Sequence, residues 1–182
     1  TSGFQQAGYY TNISMDLPNG STGDILVALV GVSRNDTITW PTGWTPLFSG
    51  SRLMGAYYVD TDGTGGTEKA TLTGGAYWTY IVSRFDGAES IEAGSVVTSN
   101  DPPSLTASWG AATNLWMAVA QITSDGITSY PSGYSNGYTA GNYLEVARAV
   151  REYTAATEDP GAFNDGDFSN TLVLGPETDS FS

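Results

Sequence analysis

The 182-residue sequence contains neither cysteine nor histidine. Without cysteine there is no disulfide framework and no thiolate to hold a metal. Without histidine, the commonest general base and the commonest metal ligand are both missing. Ser-His and Cys-His nucleophile pairs and zinc chemistry are therefore excluded. The remaining catalytic option is a pair of carboxylates of the glycosidase kind, whose separation of ~5 Å or ~6.5–9.5 Å sets the mechanism.

Cations are also scarce. Six Lys and Arg residues face 19 Asp and Glu, for a formal net charge of −13. A nucleic-acid binder neutralises phosphates with a basic patch. Arg34, Arg52, Lys69, Arg84, Arg148 and Arg151 are too few and too scattered to build one. An anionic membrane surface repels such a chain. The longest apolar run, Ile25 to Val32, is far short of the ~20 residues that span a bilayer. No nucleic acid and no membrane insertion is thus expected. The opening Thr-Ser-Gly-Phe-Gln-Gln has neither the basic nor the apolar region of a signal peptide. Lacking an initiator methionine, it reads as a processed end.

The chain is instead rich in glycine, serine and threonine, and only 14% of its residues are charged. This composition suits strands and turns. Ile25–Val32 is short and apolar throughout, as a strand buried on both faces would be. Met54–Asp60, Ala70–Thr73 and Trp78–Phe85 follow, the last alternating Trp78, Tyr80 and Val82 with Thr79, Ile81 and Ser83. Leu115–Ile122, Leu144–Val150 and Thr171–Leu174 continue the series. Leu144–Ala155 has a helix-tolerant composition, but its counterpart Met54–Gly65 runs into Gly63-Thr64-Gly65-Gly66, so a strand is preferred. Turn signals stand at Asn19-Gly20, Asp62-Gly63, Gly74-Gly75, Asp86-Gly87, Asp125-Gly126, Asn136-Gly137 and Asp165-Gly166. Short strands with such frequent turns indicate a sandwich or barrel.

The sequence also repeats itself. Asp24–Trp44 aligns with Asn114–Tyr134 at an offset of 90 residues, and Trp40-Pro41-Thr42-Gly43-Trp44 matches Tyr130-Pro131-Ser132-Gly133-Tyr134 position by position. The same offset puts Thr64, Thr67 and Glu68 on Thr154, Thr157 and Glu158, and Ser14-Met15 on Ser104-Leu105. The expected fold is one all-β domain over 1–182, a two-sheet, jelly-roll-like β-sandwich of two similar halves, about 1–92 and 93–182. The halves should pack as a pseudo-two-fold pair, with Trp40 superimposed on Tyr130 and Glu68 on Glu158.

Read in order, Gly23–Ala28 (GDILVA), Trp40–Leu47 (WPTGWTPL), Ala56–Val59 (AYYV) and Gly66–Glu68 (GTE) resemble a β-sandwich module found in tailed-phage virion proteins. The module also occurs in some bacterial surface proteins. Tyr130–Tyr134 fits the same pattern, so the resemblance covers nearly the whole chain. It implies a head-decoration, fibre or tail-associated component, and it brings no catalytic residues. The expected place is the outside of a virion, an extracellular setting. The expected partners are other virion proteins, such as the major capsid protein, and further copies of the chain on the particle.

Two kinds of candidate site remain. Glu68 and Glu158 are the tempting carboxylate pair, but equivalent positions in a repeated fold usually share a structural task. Asp60, Asp62 and Glu68 in one loop, and Glu158, Asp159, Asp165 and Asp167 in another, are candidate calcium ligands. Solvated hairpin turns are the preferred reading of both loops, because a hard-cation site needs about six to eight converging oxygens. No cofactor is expected beyond that candidate ion. Among the aromatics, Trp40, Trp44, Tyr130 and Tyr134 are expected to pack. Tyr9-Tyr10, Tyr57-Tyr58 and Tyr138 are expected to be exposed, where they could stack a sugar or anchor a protein. A non-enzymatic protein decorating a capsid is the first reading. A tail-associated or cell-surface module recognising a glycan or receptor is the second, and a filament subunit joined by strand addition is the third. The N-terminal arm Thr1–Tyr10 and the tail beyond Gly175 are the expected attachment segments.

Overall fold

The computed structural model describes residues 2–124 and 126–176, with side chains from Tyr9 onward. In chain order the strands are β1 (Ser2–Leu17), β2 (Ile25–Val32), β3 (Ile38–Thr39), β4 (Thr45–Ser49), β5 (Leu53–Val59), β6 (Gly66–Phe85) and β7 (Ala88–Ala93). They continue with β8 (Leu105–Thr106), β9 (Ala112–Ile122), β10 (Ser135–Ala140), β11 (Glu145–Ala155), β12 (Thr157–Glu158) and β13 (Phe168–Pro176). No helix is present among the described residues. The segment with helix-tolerant composition is strand β11, because both its long edges are occupied, by β9 and β10.

Two antiparallel sheets pack as a sandwich. The first has the order β1-β6-β2-β5-β4, with β3 attached to β6, and the second the order β10-β11-β9-β13-β7. A separate two-stranded ribbon joins β8 to β12. Each sheet draws its strands from one half of the chain. The changeover falls at Asp86-Gly87 rather than near residue 92, since β7 pairs with β13. Across the sandwich β1 lies against β10 and β4 against β7.

The central strands explain this arrangement. Every residue of β2 is buried, as its apolar sequence requires. Ile25, Val27 and Leu29 point toward Met117, Val119, Val146 and Leu172 of the other sheet and form the seam between the two. Leu26, Ala28, Val30 and Val32 point away from it and need a second cover. The ribbon of β1 and β6 supplies that cover by bending over the sheet. Trp78, Tyr80 and Val82 at one end of β6, and Ala70 and Leu72 at the other, enter the same cluster, joined by Ile13 and Met15 of β1. The bend sits at Gly74-Gly75, where Gly75 has φ +67°, a conformation glycine reaches without strain. Sequence patterning divides this strand at the same place, reading two strands where one bent strand exists. In the second half β9 is likewise split: Met117 and Val119 face the seam. Trp116, Ala118, Ala120 and Ile122 lie under the outer cover with Phe163, Val173 and Ala107.

Several local matches hold between the halves. Trp44 N–H donates to the Pro41 carbonyl at 3.2 Å and Tyr134 N–H to that of Pro131 at 3.1 Å, each closing a tight turn. The glycine before each donor has positive φ, +91° at Gly43 and +83° at Gly133, as such a turn demands. Met15 pairs with Glu68, and Leu105 with Glu158. The offset is not gapless, however. Ala28 pairs with Ala56 and Val82, whereas Ala118 pairs with Ala149 and Thr171. Ala149 lies 93 residues beyond Ala56, and Thr171 lies 89 beyond Val82. Asn136-Gly137 also differs from expectation. It lies inside β10, and Asn136 has φ +49° at a bulge between the Ser135 and Tyr138 pairs.

The N-terminal arm is tied to its own sheet. Ser2 through Gln5 pair with Ile81 through Trp78 of the same chain, making β1 an edge strand of the first sheet. The tail beyond Gly175 extends β13 by Pro176, and its remainder lies outside the described residues.

The seam sets the stability. Leu29→Ala, at a fully buried seam position, should lower the unfolding free energy by about 2–5 kcal/mol through lost transfer energy and the cavity left behind. Thr71→Ala on the exposed side of the cover should stay within about 0.5 kcal/mol. Denaturant titration of both variants checks the contrast.

Candidate functional site

The acidic candidates are spread over several hydrogen-bonded turns. Asp60 is almost fully buried at the end of β5. Its Oδ2 accepts from Arg84 at 2.5 Å, and its Oδ1 accepts the backbone N–H of Asp62 and of Gly63, each at 3.1 Å. Asp62 Oδ1 in turn holds Thr64 through both N–H and hydroxyl at 2.8 Å. The loop is thus laced by its own hydrogen bonds. Glu68 sits farther along on β6 and does not join Asp60 and Asp62. In the other loop Asp165 accepts from the Gly166 N–H, Asp167 from the Thr123 N–H, and Asp159 is exposed. Among the described residues no three acidic side chains converge as a cation site would need.

Arg84 is the centre of a buried ionic triad. It bridges Asp24 at 3.0 Å and Asp60 at 2.5 Å, with all three side chains no more than 10% exposed. It also donates to the Pro18 carbonyl through Nε and Nη2, tying the loop before β2 to the end of β6. The Ser21 N–H, and then Arg84, hold the Asp24 carboxyl below its ordinary range against the opposing effect of burial. Burial pushes the Asp60 carboxyl up, but Arg84 and the two backbone donors outweigh it and leave it lowered. At position 114, ninety residues after Asp24, the charge is gone. Asn114 accepts from Trp109 Nε1 at 2.9 Å and donates to the Ala155 carbonyl at 2.8 Å.

Glu68 and Glu158 occupy matched positions beside Met15 and Leu105 yet meet different surroundings. Glu68 is half-buried, whereas Glu158 is 5% exposed. Glu158 accepts from the Tyr134 hydroxyl at 3.0 Å, from Arg151 at 3.3 Å and from the Tyr153 hydroxyl. Arg151 also lies 4.2 Å from the centre of the Tyr153 ring. Burial, followed by the charge of Glu158, pushes the Tyr134 phenol strongly up. Burial and then the Glu158 hydrogen bond raise Tyr153 as well. The cradle neutralises a carboxylate where a short ribbon crosses the second sheet. Glu68 lies beside Met15 of the outer cluster of the first sheet, and Glu158 beside Leu105 of the outer cluster of the second. Glu145, which sequence reasoning did not single out, also accepts backbone N–H groups at a loop, from Gly126 and Ile127 at 3.2 and 2.9 Å.

The aromatics divide into packed and exposed sets. Trp40 stacks on Trp44 at 6.1 Å and Trp44 on Tyr58 at 5.7 Å, a ladder lying against the outer cluster of the first sheet. Tyr130 meets Phe163 edge-on at 6.1 Å. Tyr9, Tyr10 and Tyr138 are exposed as expected, while Tyr57 and Tyr58 are half-buried. Tyr143, unremarked in the sequence, is exposed too.

Tyr9 and Tyr143 lie in one cleft. With Ser33, Arg34, Tyr77, Thr123 and Leu144 they line a space of about 350 Å³ at the junction of the two halves. The size falls within the range of about 300–1,000 Å³ for small-molecule sites. Tyr9 stacks on Tyr77 at 5.2 Å, and the Arg34 guanidinium lies 4.5 Å from the centre of the Tyr9 ring. Arg34 Nη2 donates to the Gly74 carbonyl at 2.5 Å, which holds the side chain at the bend of β6. The residues come from β1, β6 and the loops after β2, after β9 and before β11. No sequence window contains the set.

Two solution tests follow from these clusters. A carboxylate with a lowered folded pKa adds stability above its unfolded value, about 3.9 for Asp, and that contribution is lost as the pH falls through the folded value. The melting temperature of the parent should therefore fall steeply on acidification below about pH 4. Arg84→Met should melt more than about 5 °C lower at pH 7 and lose less over the acid range, as followed by circular dichroism. On the alkaline side, Tyr134 and Tyr153 have raised pKa values, so their contribution is full below about pH 10 and lost as the pH climbs beyond it. Absorbance titration at high pH should show a late-ionising pair in the parent, and Glu158→Gln should make that pair ionise earlier.

In comparisons with known proteins, the chain matches no protein-family model, no curated protein and no solved structure.

Proposed function

We propose that the chain is a non-enzymatic virion structural protein that decorates or stabilises the outer surface of a phage capsid. The observation that carries this reading is the use made of buried charge. Asp24, Asp60, Arg84, Glu145 and Glu158 each bind a loop or ribbon of their own fold, as in a rigid building block. The order of motifs from Gly23 to Glu68, repeated in part at Tyr130–Tyr134, supports the virion assignment by resemblance. The partners in this reading are the major capsid protein and further copies of the chain.

We further propose that the two halves derive from one ancestral unit. The matching strand orders, the shared Pro-x-Gly turn and the Met15–Glu68 and Leu105–Glu158 pairs support that origin.

The filament reading loses support at the sheet edges. Pairing is irregular at the end strands of both main sheets: between Gln5 and Asn12 in β1, Pro46 and Phe48 in β4, and Ser135 and Tyr138 in β10, and at the Gly175-Pro176 step that faces β7. Interrupted edges resist the addition of further strands. With −13 net charge and few cations, attachment to a capsid would rest on apolar burial and backbone hydrogen bonds rather than ion pairs. Coulomb contacts between exposed groups are screened over ~8–10 Å at physiological ionic strength, so such attachment should tolerate salt.

Immunogold labelling of purified particles with antibody against the chain tests the proposal. Label spread over the capsid and retained in about 1 M salt, where screening acts within ~3 Å, is the expected outcome. Particles free of the protein, label confined to a tail tip, or release by moderate salt would each overturn it.

A further inference from the structure

We infer that the cleft of Tyr9, Tyr77, Arg34 and Tyr143 is a binding site for a neutral saccharide, presented as a terminal hexopyranose. The two most exposed large hydrophobic residues among those described, Tyr9 at 63% and Tyr143 at 61%, both line it. Exposed aromatic area usually marks contact with something outside the fold. Here the rings flank a concavity and do not project singly.

The lining chemistry selects the ligand class. The Tyr143 ring has no stacking partner among the described rings, so a face is open to the C–H surface of a sugar. Tyr9 is held from two directions, by Tyr77 and by the Arg34 guanidinium, which makes one wall rigid before any ligand arrives. Preorganisation of this kind lowers the entropy lost on binding. Around the rings stand hydrogen-bonding groups suited to hydroxyls. Thr123 Oγ1 accepts from Arg52 at 3.2 Å, which leaves its own O–H to donate. Arg34 spends Nη2 on the Gly74 carbonyl and keeps further N–H donors. The Ser33 N–H donates to the Tyr77 carbonyl at 3.1 Å, fixing the loop that carries Arg34 and the Ser33 hydroxyl.

Charge narrows the choice further. An anionic glycan approaches against a net charge of −13, and a cationic ligand would meet Arg34, the one formal charge among the described lining residues. A purely apolar partner would leave the donors of the rim unpaired, which is costly once water is displaced. A neutral sugar offers one C–H face and a rim of hydroxyls that both donate and accept, and it satisfies both halves of the cleft. The inference extends the surface role proposed above, but it does not depend on which particle or surface carries the chain.

The full chain, labelled at its N-terminus, would be applied to an array holding neutral, sialylated and uronic-acid glycans. Titration calorimetry would follow, with the methyl glycosides of the sugars retained. Binding to neutral glycans is expected, with affinity reduced on the order of tenfold or more in Tyr143→Ala, the scale of a lost aromatic anchor. Tyr143→Phe, which keeps the ring, should stay within about threefold. Tyr138→Ala, at an exposed tyrosine outside the cleft, should bind as the parent does. Equal melting curves for all three variants separate binding from folding. Retention of no neutral glycan, unchanged affinity in Tyr143→Ala, or binding confined to anionic glycans and abolished by salt would overturn the inference. Particle labelling can fail while this binding succeeds, and the reverse, so the two proposals fail separately.

Discussion

Strands β2 and β9 carry buried side chains on both faces, and the rest of the molecule is arranged around keeping both faces dry. A sheet covers only one side of its partner. The seam formed by Ile25, Val27, Leu29, Met117 and Val119 is therefore half of the solution. The other half is a lid on each outer face: the bent ribbon of β1 and β6 over the first sheet, and the shorter β8–β12 ribbon with Tyr130, Tyr134 and Phe163 over the second. Apolar burial at roughly 25 cal/mol per Å² makes this the dominant favourable term for a chain with no cysteine and so no disulfides.

The lids create a second problem. A ribbon that leaves its sheet and folds over it ends in loops whose polar groups come near apolar surface, where an unpaired group is costly. Each half meets this differently. The first half buries the Asp24–Arg84–Asp60 triad, which ties the loop before β2, the end of β5 and the end of β6 into one corner. The second half uses the neutral Asn114–Trp109 pair near the matching corner. It places its buried carboxylate, Glu158, on the short ribbon instead, inside two tyrosines and an arginine. Similar strand order thus coexists with different polar solutions, and position 68 shows that an identical glutamate can remain only half-buried.

This division also separates structure from surface chemistry. The clustered charges of the interior are committed to loops, and the end strands of the main sheets are interrupted by register shifts, at Pro46 in β4 among them. The outer surface carries the exposed tyrosines, and one of its clefts gathers Tyr9 and Tyr143 against Arg34. Because the cleft is assembled from both halves at their junction, its geometry depends on the seam holding the two sheets in register.

How much of this was legible beforehand follows from the range of the interactions. Alternation and apolar runs are local, so Ile25–Val32 could be read as a doubly buried strand, and the Pro-x-Gly motifs as matched turns, from the residues alone. The all-β class and the sandwich rested on the same local signals. Short or irregular strands such as β3, β4, β7 and β8 were not evident, because their pairing partners rather than their own residues make them strands. The same holds for β10, whose Asn136-Gly137 reads locally as a turn and becomes a bulge only because β11 lies alongside. The ion triad joins residues 24, 60 and 84, and the cleft joins 9, 34, 77 and 143, sets with no common period or motif. Composition and short-range pattern determined the absence of cysteine and histidine chemistry, the acidic surface and the two central strands. The bend of β6, the partner of each carboxylate and the gathering of tyrosines into one cleft were decided only by tertiary structure, since each depends on which distant backbone the seam brings near.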